Sequence, residues 1–119
     1  MNTEPPSVTG NSGPQPTLEI AGERRIPGPT DAQIREGVLS LDACTTYAFL
    51  ILDRDARNSL EVSGDAREGF EIEHYEGGKG RRYRAVGDFT AEQVIGLLIA
   101  YRDAANGWRE ALSWEEIDV

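Results

Sequence analysis

From Thr30 onward the chain alternates between apolar residues at helical spacing and apolar residues at strand spacing. Thr30-Asp-Ala-Gln33 sets a hydroxyl at a helix start and an amide three residues on, the spacing of a capping box. Ile34, Val38 and Leu41 follow at i, i+4 and i+7, which predicts a helix over 31–40. Gly37 lies inside it, at a cost of up to about 1 kcal/mol relative to alanine. Thr45–Leu52 is β-branched, aromatic and without polar interruption, so it reads as a strand covered on both faces. Asp53–Asn58 reads as a turn. Leu60 and Val62 then alternate with Ser59, Glu61 and Ser63, a half-buried strand ending at Gly64-Asp65.

A third strand, about 68–75, sends Phe70, Ile72 and His74 to one side and Glu71, Glu73 and Tyr75 to the other. Gly77-Gly78-Lys79-Gly80 reads as a hairpin loop. Closing it as a four-residue loop pairs 76 with 81. Glu73 then faces Arg84, Tyr75 faces Arg82, His74 faces Tyr83 and Ile72 faces Ala85. A second capping box, Thr90-Ala-Glu-Gln93, opens the longest helix, whose core stripe is Val94, Leu97, Leu98, Tyr101 and Ala105, broadened by Ile95. Asn106-Gly107 has the composition of a helix stop, Trp108 and Leu112 fit a further helical turn, and 113–119 alternates as a short edge strand would. The predicted fold is α+β: a four-stranded antiparallel meander flanked by an N-terminal and a C-terminal helix (α-β-β-β-β-α), with the helices on one face.

Residues 1–29 hold all six prolines and almost no bulky apolar residues. Such a stretch buries too little surface to offset roughly 1–2 kcal/mol of backbone ordering per residue. It is expected to be a disordered tail, with a short sticky patch at Leu18–Ile20, before one domain over 30–119.

Net charge is −9, with 18 acids against 10 bases from Thr30 onward. A surface of that sign repels nucleic acid and anionic membranes and speeds encounter with a basic partner. The single cysteine, Cys44, forms no internal disulfide and is expected as a small buried hydrophobe. No basic leader with a hydrophobic core opens the chain, and no apolar run approaches a membrane span, so a cytoplasmic location is expected.

No catalytic, cofactor or metal constellation emerges. His74 is the only histidine, which leaves no His-pair metal site or triad. On the apolar face beside Tyr83 it is expected to be a core histidine bonded to a tyrosine or a carbonyl. Asp53, Asp55, Asp65 and Glu68 lack the ligand spacing of a calcium loop and read as turn carboxylates. Glu71 and Glu73 fall about 6–7 Å apart along one strand face, near the separation of glycosidase acid pairs, but on a flat sheet beside Arg84. The exposed acids are better suited to docking. Glu61, Glu71, Glu73 and Tyr75, extended by Trp114, Glu115 and Glu116, join aromatic and acidic groups as a surface for a basic protein would.

The strand Gly69-Phe-Glu-Ile-Glu-His-Tyr75, the following Arg82-Tyr-Arg84, the Thr-x-x-Gln-Val helix and the terminal Ser113-Trp-Glu-Glu116 together resemble small acidic α+β immunity proteins of bacterial polymorphic and contact-dependent toxin systems. The resemblance spans roughly 30–119. It implies a non-enzymatic, cofactor-free inhibitor that binds one cognate toxin in the producing cell. The alternative is a secretion or folding chaperone-like adaptor that grips a partner through an apolar sheet face including Tyr47, Phe49 and Ile51, with a homodimer also admitted. Both bind protein, not nucleic acid or membrane.

Overall fold

The computed structural model describes residues 15–42, 48–55, 57–77, 80–104 and 107–117. Its elements in chain order are β1 (Thr17–Ile20), β2 (Arg24–Pro27), α1 (Asp31–Ser40), β3 (Phe49–Asp53), β4 (Ser59–Asp65), β5 (Gly69–Glu76), β6 (Arg81–Ala85), α2 (Ala91–Arg102) and β7 (Trp114–Ile117). The strands make one antiparallel sheet in the order β2-β1-β3-β4-β5-β6-β7.

This seven-stranded sheet corrects the expected four-stranded meander between two helices. The four expected strands are β3 to β6, side by side in chain order, but β1 and β2 extend one flank and β7 the other. The β1–β2 hairpin lies inside the stretch read as a tail. Each of its strands has only four residues, so its period rests on Leu18, Ile20 and Ile26 alone. What holds it is a distant partner: Leu18 pairs with Leu52 of β3 and Ile20 with Leu50. Leu18 and Ile20 are 0% and 5% exposed, and each contributes roughly 1.5–3 kcal/mol by burial. The connection turns through Ala21 (φ 54°) and Gly22 (φ 71°), left-handed conformations that match the twist of a tight hairpin. Residues 1–14 lie outside the described residues, as do Cys44 and Tyr47.

Both capping boxes form. The Thr30 hydroxyl accepts from the Gln33 N–H at 3.1 Å while the Gln33 side chain accepts from the Thr30 N–H at 2.9 Å; Thr90 and Gln93 repeat the arrangement. α1 spans the residues its spacing predicts. α2 ends at Arg102 and Ala104 turns left-handed (φ 54°); Ala105 and Asn106 lie outside the described residues. Gly37 is the contact of α1 with β1, because a Cβ there would stand 3.0 Å from Ile20 Cδ1 and 3.5 Å from Leu18 Cδ2. The missing side chain brings the helix down onto the hairpin.

Both helices lie on one face of the sheet, where Ile34, Val38, Val94, Ile95, Leu98 and Tyr101 close over the inward strand residues. One cross-strand row on that face runs Ile26, Leu18, Leu52, Leu60, His74, Tyr83 and Glu116 from edge to edge. It is aliphatic from β2 to β4, aromatic at β5 and β6, and ends on Glu116. Single-sided covering also corrects the reading of β3 as buried on both faces: Leu50 and Leu52 are buried, but Phe49, Ile51 and Asp53 are only half-buried.

Candidate functional site

Because strand side chains alternate, the face opposite the helices carries its own rows. The central one takes one residue from every strand: Arg25, Glu19, Ile51, Glu61, Glu73, Arg84 and Glu115. At about 4.8 Å between neighbouring strands it extends on the order of 29 Å. A flanking row runs Pro27, Thr17, Asp53, Ser59, Tyr75, Arg82 and Ile117. Phe49, Ser63 and Glu71 begin a third.

The acids of this open face are unequal. Glu61 and Glu73 stand directly opposite each other, an arrangement that costs energy between like charges. Arg82 relieves it by reaching both carboxylates, at 3.5 and 3.3 Å, and Arg84 adds a second contact to Glu73 at 3.5 Å. Arg82 also lies 5.7 Å from the centre of the Tyr75 ring. At the β1 end Arg25 pairs with Glu19 at 3.0 Å. The Asp53 carboxyl is pushed above the ordinary carboxylate range by burial and then by the charge of Glu19, with Arg25 opposing. Glu71 and Glu115 are exposed and form no ion pair among the described residues. The free negative charge therefore sits at the β5–β7 side, and half-buried Phe49 and Ile51 give the β3 side an apolar character.

Five of the seven residues singled out for docking, Glu61, Glu71, Glu73, Tyr75 and Glu115, share this face. Trp114 and Glu116 do not, because their register turns them to the helix side. Trp114 belongs to an aromatic group around His74. Its indole N–H donates to the Arg109 carbonyl at 2.8 Å, and its ring centre lies 6.0 Å from that of His74. Tyr83, Tyr101 and Trp108 complete the enclosure at 6.2, 6.0 and 4.9 Å.

His74 pairs across the strands with Tyr83 as the loop length predicts, but it is not hydrogen-bonded to a tyrosine or carbonyl. It is 2% exposed, and neither ring nitrogen has a hydrogen-bond partner among the described residues. The surrounding rings present edges and faces, not acceptors. Burial, opposed by Glu76 and aided by Arg109 and Arg54, lowers the imidazole to about 4. Burial likewise pushes the Tyr101 hydroxyl well above the ordinary phenol range. Glu76 sits below the ordinary carboxylate range, because the Arg109 hydrogen bond and charge outweigh its partial burial.

Two of the expected turn carboxylates hold turns: Asp55 accepts from the Arg57 and Asn58 amides, and Asp65 from those of Arg67 and Glu68; Asp53 is instead the last residue of β3. Among the described residues no three His, Cys, Asp or Glu side chains are placed to hold a metal ion, and no helix is long and apolar enough to cross a membrane. A shallow groove of about 480 Å³ runs between α2 and the 107–112 turn, lined by Gly96, Leu97, Ala100, Trp108 and Leu112; His74 does not line it. Sequence reasoning missed the open-face position of Asp53 and the 57% exposure of Val86 just beyond β6. The alternation of β3 and β6 was the available signal for both. No protein-family model, curated protein or solved structure matches the chain.

Proposed function

We propose that the chain is a non-enzymatic protein-binding module of the cytoplasm, an immunity-type inhibitor that docks a basic surface of a cognate bacterial toxin on its open sheet face. The observation that carries this reading is the open sheet face with its unneutralised side: Glu115 ends the central cross-strand row, Glu71 lies in the adjacent row, and half-buried Phe49 and Ile51 occupy the β3 side of the same face. Charges of this kind steer encounter and select register, while the apolar side chains supply contact area. The rigidity of the sheet limits the entropy lost on docking. His74 supports a structural role over a catalytic one, since four rings enclose it and it is almost wholly shielded from solvent.

The adaptor alternative draws on Phe49 and Ile51, which lie on the same face and are not fully covered. The two readings separate by which substitutions matter. Co-expression with the product of the adjacent gene should relieve that product's toxicity and yield a one-to-one complex. Glu71→Gln with Glu115→Gln should weaken the complex and flatten its salt dependence, with Phe49→Ser having the smaller effect. Absence of any protection overturns the inhibitor reading, and the reverse order of effects replaces it with the adaptor.

A further inference from the structure

We propose that the outer edge of β7 accepts an extended basic strand of the partner protein, which adds an eighth strand to the sheet. The inference rests on the protein-binding function above and specifies how the partner is held.

The hydrogen-bond parity of β7 follows from one contact. The Val86 N–H donates to the Ser113 carbonyl at 2.8 Å, so that pair is hydrogen-bonded. Bonded and non-bonded pairs alternate along an antiparallel ladder. With Arg84 opposite Glu115 and Arg82 opposite Ile117, those pairs are bonded as well, whereas Trp114 and Glu116 form the non-bonded pairs with Ala85 and Tyr83. The N–H and C=O groups of Trp114 and Glu116 consequently point away from β6. No described strand lies beyond them.

The opposite edge of the sheet is built differently. The Gly28 N–H donates to the Pro16 carbonyl at 2.7 Å, which by the same alternation turns the backbone of Arg25 and Pro27 outward on β2. Proline has no N–H to offer, a common way of closing an edge. β7 carries no proline. It is guarded only by charge: Glu115 and Glu116 are both exposed and neither forms an ion pair among the described residues.

That charge selects the occupant. Two β7 strands brought together antiparallel, with both helix layers on the same side, overlap best when Glu115 faces Glu115 or Glu116 faces Glu116. Like charges directly opposite are destabilising, so a second copy is rejected. A strand reading apolar-basic-basic-apolar meets Trp114, Glu115, Glu116 and Ile117 with complementary groups on both faces while bonding the two outward amides and two outward carbonyls.

The test uses the full chain and the synthetic peptide Thr-Val-Arg-Arg-Val-Thr, followed by amide hydrogen exchange and chemical-shift mapping. Peptide should slow exchange at Trp114 and Glu116 by about tenfold or more and leave Glu115 and Ile117, already bonded to β6, unchanged. N-methylation of the first arginine and the second valine, which keeps charge but removes the two donors, should abolish the effect. Glu116→Pro, which removes an outward N–H only, should do the same while the β6 amides stay protected. Binding indifferent to N-methylation, or shifts confined to Phe49, Ile51 and Glu71, overturns the edge and leaves the open-face function standing. So does absence of binding at millimolar peptide. Concentration-dependent mass without peptide, with Trp114 and Glu116 protected, replaces the basic strand by a second copy.

Discussion

Protonating His74 tests the packing of the molecule at its most sensitive point. The imidazole is 2% exposed, ringed by Tyr83, Tyr101, Trp108 and Trp114, and without hydrogen-bond partners among the described residues. Charged groups near it act in both directions: Glu76 favours its protonated form, while Arg109 and Arg54 oppose it. Burial dominates, so the group titrates at about 4 in the folded chain against its ordinary 6.5. Between those values the unfolded chain binds the extra proton and the folded chain does not. The stability that depends on a neutral His74 is therefore complete above pH 7, falls as pH drops through 6.5, and levels off below about 4. At about 1.4 kcal/mol per pH unit the full loss is about 3 kcal/mol, of which about 2 kcal/mol falls between pH 7 and 4.5. Most of that window lies above the range in which Asp55, Glu76 and Asp103, all held below their ordinary values, begin to take up protons. Urea unfolding followed by tryptophan fluorescence reads the right place, because Trp108 and Trp114 both touch the ring. His74→Phe removes the titration and two unpartnered nitrogens, and should be as stable as the native chain at pH 7 and nearly flat from 7 to 4.5. An equal loss in His74→Phe, or an imidazole that titrates near 6.5 by NMR, would refute the buried, unpartnered histidine.

Leu18→Ala should cost about 3 kcal/mol in urea unfolding, as expected for a fully buried leucine; a change below about 0.5 kcal/mol would restore the tail reading of 1–29. Gly37→Val should destabilise by about 1–3 kcal/mol through its clash with Ile20 and Leu18, with the shift in denaturation midpoint as readout. Arg82→Ala leaves Glu61 and Glu73 facing each other and should cost about 1 kcal/mol at low salt, less at 1 M salt as the repulsion is screened.

The parts of the fold legible in the sequence are those fixed by local rules. Thr30-Gln33 and Thr90-Gln93 mark two helix starts because the capping box is made within four residues. The β5–β6 register follows from loop length, which carries Glu73 to Arg84 and Tyr75 to Arg82. Where a partner is distant, the local signal runs out. Leu18 and Ile20 acquire strand character only by pairing with Leu52 and Leu50, thirty or more residues away by sequence number. Ile51 and Phe49 looked buried in a continuous apolar run, yet the second layer that would cover them is absent among the described residues. The docking site was half legible for the same reason. Alternation grouped Glu61, Glu71, Glu73 and Tyr75, but the β6–β7 register, which sends Trp114 and Glu116 to the helix side, depends on a tertiary pairing.

The most direct test of a docking face opposite the helices is a surface footprint of the chain in complex with the product of the adjacent gene, read by side-chain labelling. Protection of Glu71, Tyr75, Glu115 and their row neighbours, with Glu36, Glu92 and Leu39 on the helix side unaffected, is the predicted result. Protection of the helix side with the open face still reactive would contradict it.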